Sequence, residues 1–492
     1  MSTNMVPRFM RRLGGAGSTR AENGFSGEAA AGRFDAGLKA AVDPMTTLDR
    51  RRFLQLMALG SGAVLSGCVG AAPKPRPATA VHDPTGALIT RWRADEFARD
   101  SYSYLSIDSR PGDRELLAAP IGNTLFFAGE ATSSSNPATV HGALMSGRDA
   151  TAMLHAVAEP RASVGVIGAG AAGIAAGRQL LDAGFQVVIY EARDRIGGRV
   201  HTDMSLGVPV DLGGSWIHGV DGNPLTAIAD AIDAPRVLTD WDSTVTYDVD
   251  GNRVPDRFWA APTRTVNGAA REGLTIQAAV EDALANRTQE YVDQFNFAVV
   301  ATFEHEYAAD VEDLSAEAPH EGGYFGGGDV LLPNGYLELL KTLTDDLDIR
   351  LGSPVDRVVW GAEGATIGIA GQEFTHDHVV VTLPLGVLKA NDVVFEPPLP
   401  NERRGAIDRF GMGLLNKVVL EFPYAFWDQG VDYFGYIAED RGKWAQWYDM
   451  EDVTGRPIAL AFNAGSVAGD MEAASDDEIV AEAMAVLRTI YG

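Results

Sequence analysis

A single cysteine, Cys68, occurs in the 492 residues, so no disulfide can form within the chain. Positive charge is also scarce: 40 Lys and Arg stand against 67 Asp and Glu, a net charge of −27. That balance argues against general nucleic-acid binding and suits attraction of cations, protonated amines among them. A solvated acidic surface that aids solubility is the plainer reading of the same charge. No segment repeats, and no cluster of side chains has metal-ligand spacing. What is present is 46% hydrophobic content, enough for one large or two ordinary cores, and 55 glycines among short apolar runs. Together these indicate an α/β protein with many tight turns.

The lone thiol has an informative position. Arg50-Arg51-Arg52-Phe53-Leu54 precedes an apolar, glycine-bearing run that ends Leu65-Ser66-Gly67-Cys68. The arginines resemble a twin-arginine export signal, and the last four residues resemble a bacterial lipobox. Asp49 stands where Ser or Thr is usual. The run is too short to span a bilayer comfortably, and its plainer reading is a short buried helix. The expectation is lipidation at Cys68 and a cell-envelope lipoprotein on the extracytoplasmic side of a bacterial membrane. Residues 1–44 read as an over-extended start, with Met45 as initiator. Ala71–His82 is a Pro/Ala linker.

Farther on, Leu125–Ala128 reads as a buried strand and Val140–Val157 as a helix with Thr139 as N-cap. Strands are expected at Val164–Ile167, Gln186–Tyr190, Val379–Leu383 and Leu415–Phe422. Strands interleaved with helices predict a mostly parallel sheet. Gly168-Ala-Gly170-Ala-Ala-Gly173 follows one strand and opens a helix. Glycines there let the backbone turn sharply and touch a pyrophosphate, whose charge the helix N-terminus stabilises. Glu191 ends the next strand, where a carboxylate can accept hydrogen bonds from ribose hydroxyls. These residues predict a dinucleotide site without deciding between NAD and FAD.

The segments around that turn decide it. Glu191–Thr202 (EARDRIGGRVHT), Val210–Gly219 (VDLGGSWIHG), Val379–Lys389, Phe395–Pro400, Gly411–Phe422, Arg91–Tyr104 and Leu125–Gly147 resemble the flavin-containing amine oxidase superfamily. The similarity is greatest to its polyamine oxidase and lysine demethylase branch, and it runs from about Leu88 to Gly492. The resemblance implies an FAD-binding Rossmann-like domain (86–235 and 322–394) and an α+β substrate domain (236–321 and 395–492). Residues 1–67 would be an extension with its signal, and 68–85 a linker. In the family the glycine turn opens the protein and the AGE…HGA segment closes it. Here Leu125–Gly147 comes before Val164–Gly177, and Ala481–Gly492 resembles the helix that would precede Leu88–Trp92. A circular permutation is the expectation, with Ala156–Ser163 as the new joint.

The resemblance also implies roles. Lys417 would hold a water against flavin N5. Gly168, Gly170, Gly173, Glu191, Arg193, Arg199, Gly213, Gly214, Ser215, Trp216, Val355, Trp92, Gly129, Glu130, Thr139 and Val140 would bind FAD. His218, Tyr102 and Thr139 would meet the substrate. Thr139 stands where monoamine oxidases carry a second aromatic, so a two-ring cage is incomplete. No cysteine lies near Tyr102, so FAD should be noncovalent. The implied reaction is oxidation of a primary or secondary amine to an imine that hydrolyses, with O2 reduced to H2O2. An L-amino-acid oxidase would need a basic group for the substrate carboxylate, and a noncatalytic FAD-loaded lipoprotein would need no substrate. Glu304 and Glu321 are acids that suit a distal ammonium, although solvated side chains are the commoner reading.

Overall fold

The computed structural model describes residues 80–255, 260–269 and 273–492. Cys68 and the signal that precedes it lie outside the described residues. So does all of the Pro/Ala linker before Ala80.

Five parallel strands form one sheet, ordered Asp348–Arg350, Gln186–Tyr190, Ser163–Ile167, His378–Val381 and Leu125–Phe127. Its central strands are apolar on both sides because both faces are covered. Phe126, Val166, Ile189 and Val380 face one core, with Leu144, Ile174 and Leu180 from the helices Val140–His155 and Ala171–Asp182. Phe127, Ile167, Val379 and Val381 alternate to the other face. There they meet Val358 and Ile367 from an antiparallel layer. The AGE-bearing strand is thus an edge of the same sheet as the dinucleotide turn. The expected strand over Val379–Leu383 begins one residue earlier and ends at Val381, before the helix Leu385–Ala390.

Two glycines set how closely these parts approach. Gly168 sits at φ +101°, and a Cβ at Gly173 would lie 1.9 Å from the carbonyl oxygen of Gly168. The turn and the first helical turn therefore close on each other only with hydrogen at that position. A Cβ at Gly147 would lie 2.2 Å from the Ala172 carbonyl oxygen, so the helices Val140–His155 and Ala171–Asp182 meet backbone to backbone there. Thr139 caps the first of these helices, accepting from the Gly142 N–H at 2.9 Å.

The largest sheet departs from the expectation of a mostly parallel one. It has seven strands in the order Gly86–Ile89, Leu415–Glu421, Ile458–Ala464, Gln446–Asp449, Tyr433–Tyr436, Thr244–Tyr247 and Arg253–Val254. All its ladders are antiparallel except that between Thr244–Tyr247 and Tyr433–Tyr436. Gly86–Ile89, expected with the cofactor part, belongs to this sheet instead. Short alternating strands carry no sign of their direction, which is why the sequence pattern missed the antiparallel ladder. Val418 and Leu420 face a core with Phe434, Trp447 and Leu487, while Val419 faces a second one with Leu331 and Leu460. The helix Asp476–Tyr491 covers the first core, started by a Ser475–Glu478 capping box. Among the described residues no helix is long and apolar enough to cross a membrane.

Gly147→Val should lower the urea midpoint by the equivalent of about 1–3 kcal/mol, because a side chain must be forced between two backbones. An unchanged midpoint would show that the helices are not in contact at Gly147.

Candidate active site

A cavity of about 680 Å³ lies between the turn of the parallel sheet and the strand that carries Lys417. The residues nominated from sequence for catalysis, substrate and FAD line it, except Gly173, whose part is to let the turn close.

At the turn, a Cβ added to Gly170 would meet only the Gly197 oxygen, at 3.9 Å, so the backbone is open to the cavity. The N-terminus of Ala171–Asp182 begins there and presents unpaired N–H groups to an anion. Glu191 is buried at the foot of the turn. Its two oxygens accept from the N–H groups of Ala169 (2.6 Å) and Arg193 (2.9 Å), and further lone pairs remain for a ribose. Arg193 is held by Asp95 at 2.7 Å and lies over Phe97. This cradle fits a dinucleotide pyrophosphate.

The middle of the cavity is organised by Glu130. It accepts from the Ser103 hydroxyl (2.6 Å), the Ala138 N–H (3.1 Å) and Arg199 (3.0 Å). Burial works to raise its pKa, but Arg199, Ser103 and Arg114 prevail and hold the carboxyl below its ordinary value. Arg199 also donates to the Ser101 carbonyl, so Glu130 and Arg199 tie three segments together. Trp92 is buried beside Gly213, and Gly129, Val140 and Val355 complete this wall.

Lys417 is buried, 3% exposed, on a strand with neighbours on both sides. Its ammonium donates to the carbonyl oxygens of Asp211 (2.9 Å) and Gly213 (2.7 Å) and to the Ser215 hydroxyl (2.5 Å). The nitrogen lies 5.7 Å from the ring centre of Trp216. Burial pushes its pKa down from the ordinary lysine value, opposed by the charge of Asp211. The glycines of VDLGGS explain the geometry. A Cβ at Gly213 would lie 1.8 Å from the Arg199 oxygen, so the loop can pass under the amine only as glycine.

Beyond Lys417 the wall changes character. His218 Nδ1 lies 3.2 Å from Asp329, a buried carboxylate that also accepts from the Gly219 N–H (2.8 Å) and Trp241 Nε1 (3.0 Å). Tyr102 donates to the His305 carbonyl at 3.2 Å, and His305 Nδ1 lies 2.8 Å from Gln446 Oε1. The Thr139 hydroxyl is committed to its helix cap and to the Asn136 oxygen at 2.8 Å.

The two acids nominated for an ammonium are neither solvated nor unpaired. Glu321 lines the cavity but is gripped by both arms of Arg114, at 2.6 and 2.8 Å. Glu304 does not line it and is bound by Arg441. Asp329, Trp241 and Arg114 were missed because each lies outside the segments that carry the family resemblance. Asp211 was visible in VDLGGS, but nothing local assigned it a role.

The family model for flavin containing amine oxidoreductase matches residues 47–154 and 171–492. Polyamine oxidase 2 of Arabidopsis thaliana is 36% identical over 341 residues, covering 64% of this chain and 69% of that one. Lysine-specific histone demethylase 1 homolog 1 of Oryza sativa subsp. japonica is 35% identical over 371 residues, covering 68% and 43%. Cyclohexylamine oxidase from Brevibacterium oxydans IH-35A shares the fold, with a TM-score of 0.55 at 23% identity over 68% of this chain and 82% of that one.

Burial pushes Glu304 up to about 7, against the attraction of Arg441. A carboxyl raised in this way stabilises the fold fully below its unfolded value near 4.5, and the contribution is lost as pH rises through about 7. Glu304→Gln should therefore reduce the fall in thermal midpoint between those two pH values. An undiminished slope would place the titration elsewhere.

Proposed function

The chain belongs to the flavin containing amine oxidoreductase family and is an FAD-dependent amine oxidase, and we propose that its substrate is a polyamine-like primary or secondary amine. The observation that carries this reading is that the dinucleotide turn and a desolvated lysine, Lys417, face one cavity. The chemistry FAD supplies there is acceptance of a hydride from the carbon beside nitrogen, with O2 taking the electrons to give hydrogen peroxide. The protein's own part is placement and charge.

The cradle of Gly168, Gly170, the helix beginning at Ala171, and Glu191 suits noncovalent binding of the cofactor. Glu130 and Arg199 fix the segments around its middle. Lys417 offers a positive charge, or a hydrogen bond once deprotonated, at the boundary with the substrate space. Tyr102, Trp216 and Trp241 give that space aromatic walls suited to an alkylamine. Asp329 accepts from His218 Nδ1 when that nitrogen carries the hydrogen, which turns Nε2 into an acceptor for an amine proton. Net charge of −27 adds a general attraction for cationic substrates.

Specific contacts disfavour an L-amino-acid oxidase. Among the described residues, the guanidinium groups at the cavity, those of Arg99, Arg193 and Arg199, are paired with Asp392, Asp95 and Glu130, at 3.0, 2.7 and 3.0 Å. A substrate carboxylate would have to displace one of these acids.

The permuted order and the lipid anchor at Cys68 belong to the same proposal. Permutation is supported by the packing of the segment after Ala80 against the helix Asp476–Tyr491. Arg488 pairs with Asp83 at 2.5 Å, and Arg91 with Asp476 at 2.7 Å. A former loop closed across these elements would need little length. Export by the twin-arginine route fits a protein that takes up FAD before it crosses the membrane. Palmitate labelling that disappears in Cys68→Ser would support the anchor, and labelling that persists would refute it.

Anaerobic mixing with spermine, a monoamine and several L-amino acids tests the substrate class. Spermine should bleach the flavin; bleaching by amino acids alone would overturn the reading, and no bleaching would point to a noncatalytic flavoprotein. Lys417→Met should slow bleaching by about 10²-fold. A variant with wild-type rates would remove Lys417 from the chemistry.

A further inference from the structure

Lys417 does not stand alone: the residue whose carbonyl holds its ammonium also brings a buried carboxylate. Asp211 is 7% exposed, at the end of the short strand Val210–Asp211. Its main-chain oxygen accepts a hydrogen bond from the Lys417 ammonium at 2.9 Å. Its side chain is fastened separately, by the Thr202 hydroxyl at 2.5 Å and by the Tyr336 N–H at 3.0 Å to both oxygens. Among the described residues no guanidinium bonds to it. A carboxylate held in a dry site without a directly bonded cation is costly unless a charge of opposite sign lies nearby.

We propose that Asp211 is the positioning residue for Lys417, its carbonyl aiming the amine at the cavity and its carboxylate setting whether that amine keeps its proton. The inference rests on the placement of Lys417 beside the bound flavin. It goes further in assigning the lysine's charge state to a second residue that touches neither cofactor nor substrate.

The surroundings leave few other candidates. Phe462 faces Lys417 from a flanking strand, Ser215 and Trp216 close the loop side of the amine, and the main-chain N–H of Lys417 donates to the Thr90 hydroxyl. None of these carries a charge. Among the described residues Asp211 alone acts electrostatically on Lys417, favouring the ammonium against the effect of burial. The reverse also holds. Burial pushes Asp211 up, while Thr202, the Tyr336 N–H and Lys417 favour its ionised form. Tyr336, buried beside it, is pushed up as well and stays protonated. Its hydroxyl has no hydrogen-bond partner among the described residues. The two charges therefore favour each other against burial, and the Thr202 hydroxyl adds to what keeps Asp211 ionised.

The test uses substrate-free holoenzyme and follows the visible spectrum of bound FAD as pH is raised, so that the charge of the nearby amine is read without turnover. Wild type should show a spectral transition that vanishes in Lys417→Met. In Asp211→Asn the transition should move to lower pH by about one unit or more, because the favouring charge is gone. Asp211→Glu, which keeps charge and carbonyl, should restore it toward wild type; a merely structural role would not distinguish Asn from Glu in this way. Thr202→Val retains the carboxylate but removes its donor, and should shift the transition in the same direction. It decides the matter if Asp211→Asn fails to fold. A transition unmoved in a folded, FAD-loaded Asp211→Asn, or in Thr202→Val if that variant alone folds, overturns the role of Asp211. A transition that persists in Lys417→Met overturns the placement of Lys417 itself.

Discussion

The desolvated ammonium of Lys417 is the constraint around which the rest is arranged. A buried lysine is unfavourable unless its protons are satisfied, and here two carbonyls and one hydroxyl satisfy them. Those acceptors lie on the loop after Val210–Asp211, whereas the lysine lies on the seven-stranded sheet. The bonds therefore tie the seven-stranded sheet to the glycine-rich loop after Val210–Asp211. Any displacement of that loop would leave a buried charge without partners, at a cost of several kcal/mol. Position and chemistry are enforced by the same contacts.

A second set of constraints holds the cofactor side. Gly168, Gly173 and Gly147 allow a strand, a turn and two helices to approach more closely than any side chain permits. The Glu130–Arg199 pair then locks the AGE segment to the loop that follows Glu191, over a sequence separation of 69 residues. Separation along the chain matters little to such a site. The segments that build it, from residues 92 to 462, meet in one cavity.

Much of this was legible from sequence for local reasons. The strands Ser163–Ile167 and Gln186–Tyr190 were marked by continuous apolar residues bounded by glycine or acid, and Thr139 by its place before an apolar-periodic run. Glycines at 168, 170 and 213 announced the places where backbone must approach a ligand or another backbone. The strand pairing of Gly86–Ile89 with Leu415–Glu421 was not legible, because four residues carry too little pattern to reveal direction or partner. Nor was the fate of the acids. Glu304 and Glu321 resemble surface acids in sequence, and only the fold brings Arg441 and Arg114 against them. Asp329 shows the same limit: its three donors come from residues 88 to 111 positions away, and no spacing rule reaches that far.

The central claim is that Lys417 is a buried, desolvated amine whose proton is held weakly compared with that of a surface lysine. NMR titration of ε-15N-lysine in wild-type protein, with Lys417→Met to assign the resonance, measures this directly. The account predicts that the Lys417 signal titrates clearly below the surface lysines. A signal that titrates together with them would contradict it.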